Sequence, residues 1–171
     1  MKSRFTKIGL KIAFCAFTLT VLPTESAGQG LTPDLSMRRA LYFTGVKTSK
    51  IDTRAAAQGG DPYVVANGSM TLKKSQATKC EAGGCYFNFG FIVTRKPTSG
   101  VLNTYGLIQI PGSLFGNELQ FADNVGSHQH VLSVKLADGV HKLKITVDPY
   151  AKTPESDENN NSFTVTIVVR G

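Results

Sequence analysis

The chain has 171 residues, 41% of them hydrophobic, with a formal net charge of +7, which suits one domain with its own core and is short for two. The opening segment carries much of that charge, and what remains is too modest a field to argue for a nucleic-acid partner. Beyond the opening segment there is no apolar run of the roughly 20 residues that a membrane-spanning helix needs.

Lys2, Arg4, Lys7 and Lys11 open the chain with no acid among them. The uncharged run 12–22, IAFCAFTLTVL, follows, and then Pro23 and the stretch TESAGQG. A positive start, a short apolar stretch and a small-residue exit predict a secretory signal peptide over residues 1–27. The apolar run is too short for a bilayer anchor, and Lys11, Pro23 and Glu25 prevent its extension. Cleavage falls after Ala27 or after Ser26. Phe14 stands before Cys15, where a lipoprotein site wants a small residue. Removing residues 1–27 takes away four basic residues and one acid, so the formal charge falls from +7 to +4. Residues 28–171 form the predicted mature domain, destined for secretion or the periplasm.

That region carries strand signals and almost no helix signals. Residues 34–43 and 69–74 are candidate strands. Between them, residues 48–62 (TSKIDTRAAAQGGDP) lack a period of two and read as a long loop or a loop with one helical turn, more simply as a disordered surface excursion. In residues 85–94, Phe87, Phe89, Phe91 and Val93 fall on alternate positions. Short candidates follow at 107–110 and 119–121. Leu132, Val134 and Leu136 alternate with Ser133 and Lys135. Leu143, Ile145 and Val147 alternate with Lys142, Lys144 and Thr146. Phe163, Val165, Ile167 and Val169 close the chain in the same rhythm. Period two puts one set of side chains on a buried face and the other towards water, and these fourteen alternating apolar residues supply a core. Turn-formers stand between the runs at 96–100, 111–113, 137–139 and 153–161. Seven or eight short strands so punctuated predict an antiparallel β-sandwich.

Two cysteines remain after the signal, Cys80 and Cys85, in KCEAGGCY. An even count in an exported chain points to a disulfide clipping a hairpin that turns at Gly83 and Gly84. Four intervening residues differ from the two of a typical redox pair, and the further ligands a zinc site needs are not nearby.

The most distinctive stretch is residues 139–169, GVHKLKITVDPYAKTPESDENNNSFTVTIVV, in which two alternating strands flank a polar loop. The residues Asp148, Glu155, Asp157, Glu158, Asn159 and Asn160 admit two readings. Asn and Asp side chains bond nearby backbone amides and stabilise turns; on that reading Asn159 and Asn160 pin the loop to the last strand and the acids are solvated. The second reading is calcium, which takes six to eight hard oxygens, although the spacing is not that of the twelve-residue EF-hand loop and the loop has no glycine.

This stretch resembles the CARDB family, the cell-adhesion-related domains of bacterial exported proteins, with Asp148, Glu155, Glu158, Asn159 and Asn160 at the matching places. Pro33, Asp34 and Leu35 resemble the family's opening strand, whereas residues 48–62 and the cysteine loop depart from its pattern. The resemblance implies an immunoglobulin-like or fibronectin-like sandwich acting as a non-catalytic binding or adhesion module. The expected partner is a protein or glycan of the envelope or the extracellular space. Such folds host many functions, so an accessory subunit of an envelope assembly and an enzyme with an unrecognised site stand as alternatives.

Other constellations are weaker. His128 and His130 share one face of a strand, with the solvent face as their expected home, and two ligands without a third are not a metal site. No nucleophile elbow G-x-S-x-G occurs. The acidic loop reads as too polar and exposed to raise a carboxyl pKa for glycoside hydrolysis. Arg38-Arg39 and Lys73-Lys74 read as solvated pairs or, more pointedly, as a patch for anionic surface polymers.

Overall fold

The computed structural model describes residues 34–96, 102–110, 116–123, 126–155 and 157–171. The expected signal peptide, residues 1–27, lies outside these. The described chain is all β with three single-turn 3-10 segments. Its strands are β1 (Leu35–Met37), β2 (Ala40–Gly45), β3 (Tyr63–Val65), β4 (Ser69–Lys73), β5 (Lys79–Glu81) and β6 (Gly84–Arg95). There follow β7 (Leu102–Gln109), β8 (Gly116–Asp123), β9 (Gly126–Leu136), β10 (Gly139–Val147) and β11 (Ser162–Arg170).

They make two sheets. In the six-stranded sheet β6 is the axis. Strand β9 pairs along it from Cys85↔Leu136 to Arg95↔Gly126. The other side of β6 is shared by β5, β2 and β1 in turn, and β3 lies outside β2. The five-stranded sheet runs β4-β11-β10-β7-β8. All its pairings are antiparallel except β4 with β11. The chain visits the first sheet with β1–β3, the second with β4, then alternates through β5–β6, β7–β8, β9 and β10–β11. Strands β6 and β9 facing β7, β8, β10 and β11 give an immunoglobulin-like Greek-key sandwich.

The period-two reading holds residue by residue. Phe87, Phe89, Phe91, Val93, Leu132, Val134, Leu136, Leu143, Ile145, Val147, Phe163, Val165, Ile167 and Val169 all lie in the core between the sheets. Each fully buried Val, Leu, Ile or Phe contributes about 1.5–3 kcal/mol of transfer free energy. Eleven strands appear among the described residues because residues 34–43 break at Arg38-Arg39 into β1 and β2, and because β3 and β5 are three-residue pieces too short to show a period.

Two expectations are corrected here. Residues 48–62 are not a disordered excursion. Ile51 is 2% exposed and joins Ala40, Tyr42 and Ile92 in a second cluster on the outer face of the six-stranded sheet. Its N–H donates to Gln129 Oε1 at 2.9 Å. Buried Asp61 ties the segment's ends, accepting from Asp52 N–H at 2.7 Å and from Lys47 Nζ at 2.6 Å. One apolar side chain and one buried carboxylate hold a stretch that has no periodicity to read. His128 and His130, second, do not face solvent. They alternate in register with Leu132 and Val134, so they point inward and are half-buried, with the His130 ring 5.6 Å from that of Phe91.

Candidate functional site

The start of β1, the end of β6, the start of β7 and the β10–β11 loop (residues 148–161) meet at one end of the sandwich, as the pairing registers require. The Cys80–Cys85 disulfide closes the β5–β6 hairpin at the opposite end, with Gly83 in its turn at φ 84°. Glu81 on that hairpin accepts from Tyr86 Oη at 2.7 Å and Lys135 Nζ at 2.9 Å, and these bonds hold its carboxyl down to about 2.

The loop begins at Asp148, whose φ of 45° is left-handed, a region Asp tolerates better than most residues. Its buried carboxylate accepts from Lys152 N–H at 3.1 Å and Thr153 N–H at 2.7 Å. Asp157 caps a short 3-10 turn by accepting from Asn159 N–H at 2.9 Å. Glu158 accepts from Glu155 N–H at 3.2 Å. Glu155 reaches across the end to the first strand, where its Oε2 accepts from Leu35 N–H at 2.9 Å. Asn160 makes the parallel tie, donating from Nδ2 to Asp34 Oδ1 at 3.1 Å, and Asp34 also pairs with Lys96 at 2.6 Å.

The six residues singled out in the sequence therefore form one continuous loop scaffold. The turn reading gains two corrections. Asp148 is buried and Glu155 half-buried, and each accepts backbone N–H groups, so these two are not solvated bystanders, whereas Asp157 and Glu158 are exposed as that reading has them. Asn160 pins the loop to the first strand and not the last, while the tie towards β11 is the backbone bond from Val147 N–H to the Asn161 carbonyl at 2.9 Å.

Burial also changes the chemistry. Glu155 is pushed up to about 7, first by desolvation, with Glu158 and Asp148 adding to the rise, while the Leu35 N–H and the Asn161 side chain oppose it. The expectation that this loop is too exposed to raise a carboxyl pKa is thus wrong for Glu155, because the chain folds it under the loop against β1. Glu155 Oε1, Asn160 Oδ1 and Asn161 Oδ1 are buried without a hydrogen-bond partner. All three are acceptors, and a protonated Glu155 carries an O–H, the kind of group this cluster lacks.

The fit of calcium is tested by these same atoms. Asp148, Asp157 and Glu158 have already committed oxygens to N–H donors. Among the described residues no three His, Cys, Asp or Glu side chains converge as metal ligands. One carboxyl and two amide oxygens are left uncommitted, fewer than the six to eight that calcium takes, so backbone carbonyls and water would have to supply the rest of a calcium shell.

The loop also presents side chains that the sequence reading missed. Tyr150, 54% exposed, stands edge-on to Tyr105 of β7 with ring centroids 5.6 Å apart. Lys152 Nζ lies 4.9 Å from the Tyr105 ring and 5.2 Å from that of Tyr150, and Tyr150 Oη donates to Glu118 of β8. The outward phase of β7 was the available signal for Tyr105; nothing local in the sequence brings Tyr150 beside it.

No family model matches the chain, and no curated protein matches it. Among solved structures, the chain is similar to the crystal structure of the CARDB domain of the PF1109 protein from Pyrococcus furiosus in complex with di-metal ions. That match has 18% identity and a TM-score of 0.47, and it covers 81% of this chain and 90% of that one. The solution structure of the same domain matches at 16% identity with a TM-score of 0.43, covering 81% of this chain and 97% of that one.

Proposed function

We propose that this chain is an exported, non-catalytic binding module that engages a protein or glycan of the bacterial envelope or extracellular space through its β10–β11 end. The observation that carries the reading is the loop's construction. Its acids hold it rigid from within, so that Tyr150 and Lys152 are presented beside Tyr105 on a fixed platform. Pre-ordered loops lose little entropy on binding, and exposed tyrosines on rigid supports are favoured contact residues. The resemblance to CARDB domains supports a binding role over a catalytic one. The signal-like residues 1–27 and the disulfide support an oxidising destination outside the cytoplasm.

The test is capture from an envelope fraction by the purified protein, beside Tyr150→Ala and Lys152→Ala. Both changes lie on the exposed surface and leave the loop's internal bonds in place. A partner retained by the wild type and lost by both variants supports the reading; a partner held equally by all three moves the site elsewhere.

A second reading, an accessory subunit joined by strand addition, is favoured by strand β3. It forms an edge of the six-stranded sheet, with Tyr63 and Val65 43% and 56% exposed above a cleft of about 540 Å³. Exposed apolar edges template added strands. Co-purification in a fixed ratio, abolished by Val65→Lys, would favour it.

A further inference from the structure

Residues 46–62 cross the outer face of the six-stranded sheet and shape two adjoining grooves that share Thr53 and Gln129. The larger, about 500 Å³, is lined by Ser36, Arg38, Thr53, Thr94, Ser127 and Gln129 over an apolar floor at Ile92. The smaller, about 450 Å³, adds Lys47, Lys50 and Asp52. Both lie within the range of ligand clefts, roughly 300–1,000 Å³.

The lining is unusually rich in hydroxyls. Thr94 Oγ1 and Ser127 Oγ are 2.9 Å apart, so one donates to the other and the second keeps its hydrogen for an outside acceptor. Gln129, which lines both grooves, uses its oxygen to hold Ile51 N–H and keeps its amide N–H groups as donors. The charge is one-sided. Asp61 is taken up by Lys47 and Asp52 by Arg54. Arg38 sits 5.7 Å over the Tyr42 ring, and neither it nor Lys50 has a carboxylate partner among the described residues. Tyr42 itself is 1% exposed, so the groove offers no open aromatic face for a neutral sugar to stack on.

We propose that this groove binds an acidic oligosaccharide. Ser36, Thr94, Ser127 and Gln129 meet its hydroxyls, and Arg38, with Lys50 further along, pairs with its carboxylates. An acidic peptide carries the same charge but has few groups to match the hydroxyl and amide side chains of this lining, so polyglutamate serves as the rival in the test. The proposal rests on the binding-module reading but uses a different face from the β10–β11 platform. On this account residues 46–62 are the wall that turns a flat sheet face into a cleft.

The test is calorimetric titration of the purified protein with a short oligogalacturonate, a maltooligosaccharide of equal length, and polyglutamate. The oligogalacturonate is expected to bind saturably and to weaken with added salt. Arg38→Ala and Lys50→Ala should each weaken it about tenfold or more, equivalent to about 1.4 kcal/mol, with thermal melting unchanged. Thr94→Val with Ser127→Ala should weaken it without altering the salt dependence, and Tyr150→Ala should leave it intact. Absence of oligogalacturonate binding, binding indifferent to Arg38 and Lys50, or equal binding of the neutral sugar or of polyglutamate would overturn the proposal. If envelope capture through Tyr150 succeeds while the titration fails, the groove is refuted and the binding module stands; failure of both removes both.

Discussion

Ile51 lies so close to Gly90 that a Cβ on Gly90 would stand 2.6 Å from Ile51 Cγ1 and 2.7 Å from its Cδ1. The glycine is the socket in β6 that lets the crossing segment 46–62 bury its one large apolar side chain. Ile51→Ala is expected to cost about 2–4 kcal/mol by emptying that socket, and Gly90→Ala about 1–3 kcal/mol by overfilling it. The double variant should be less destabilised than the sum of the two, by at least about 0.5 kcal/mol, because a smaller residue at 51 makes room for the new methyl. Urea denaturation of the four proteins checks this; strict additivity would show that the two residues are not coupled.

Glu155 gives the domain a pH dependence of unusual sign. Its carboxyl is raised from 4.5 to about 7 in the folded protein, so the native state holds a proton that the unfolded chain releases. Its contribution is fully present below about pH 4.5 and is lost as pH rises through about 7. Asp52 and Glu81 are shifted the opposite way, each to about 2, and their contribution is lost as pH falls below 4. Glu155→Gln is expected to match the wild type near pH 4.5 and exceed its stability at pH 8 by about 1–3 kcal/mol. Denaturation curves at the two pH values decide it: a variant less stable than wild type at pH 8 would mean that the ionised carboxylate is the form the fold needs.

Asp148 separates the turn from the metal. Asp148→Ala removes the acceptors for two loop N–H groups and leaves Ala at a left-handed φ. The expected cost is about 2–4 kcal/mol. Asp148→Asn, which tolerates that backbone and keeps one acceptor oxygen, should cost about half as much. Millimolar calcium should leave the melting temperature of the wild type unchanged. A calcium-dependent rise lost in Asp148→Asn would instead show a bound ion, since a ligand stabilises only the state it binds.

Much of this architecture was legible because strand periodicity is a local property. The fourteen alternating apolar residues, the cysteine pair and the acidic loop could be read from neighbouring letters. What escaped depends on contacts distant in sequence. Ile51 in residues 48–62 carries no pattern, and its meaning appears only when Gly90 and Gln129 are placed beneath it. The inward turn of His128 and His130 follows from the phase of Leu132 and Val134, which the polar character of histidine obscures. Glu155 reads as a surface acid until Leu35, 120 residues earlier, is brought to its side chain.

The parallel pairing of β4 with β11, Ser69 to Lys73 against Thr166 to Arg170, sets an order of events in folding. Among the described residues β4 has no other partner within its sheet, and the strand that completes it lies far along the chain. Until Ser162–Arg170 emerges, the second sheet lacks the strand joining β4 to β10, and closure must wait for a loop of nearly a hundred residues to come together. Long-range closure of this kind slows folding. Until that closure, the backbone groups of β4 are an open edge at which a stray strand can pair.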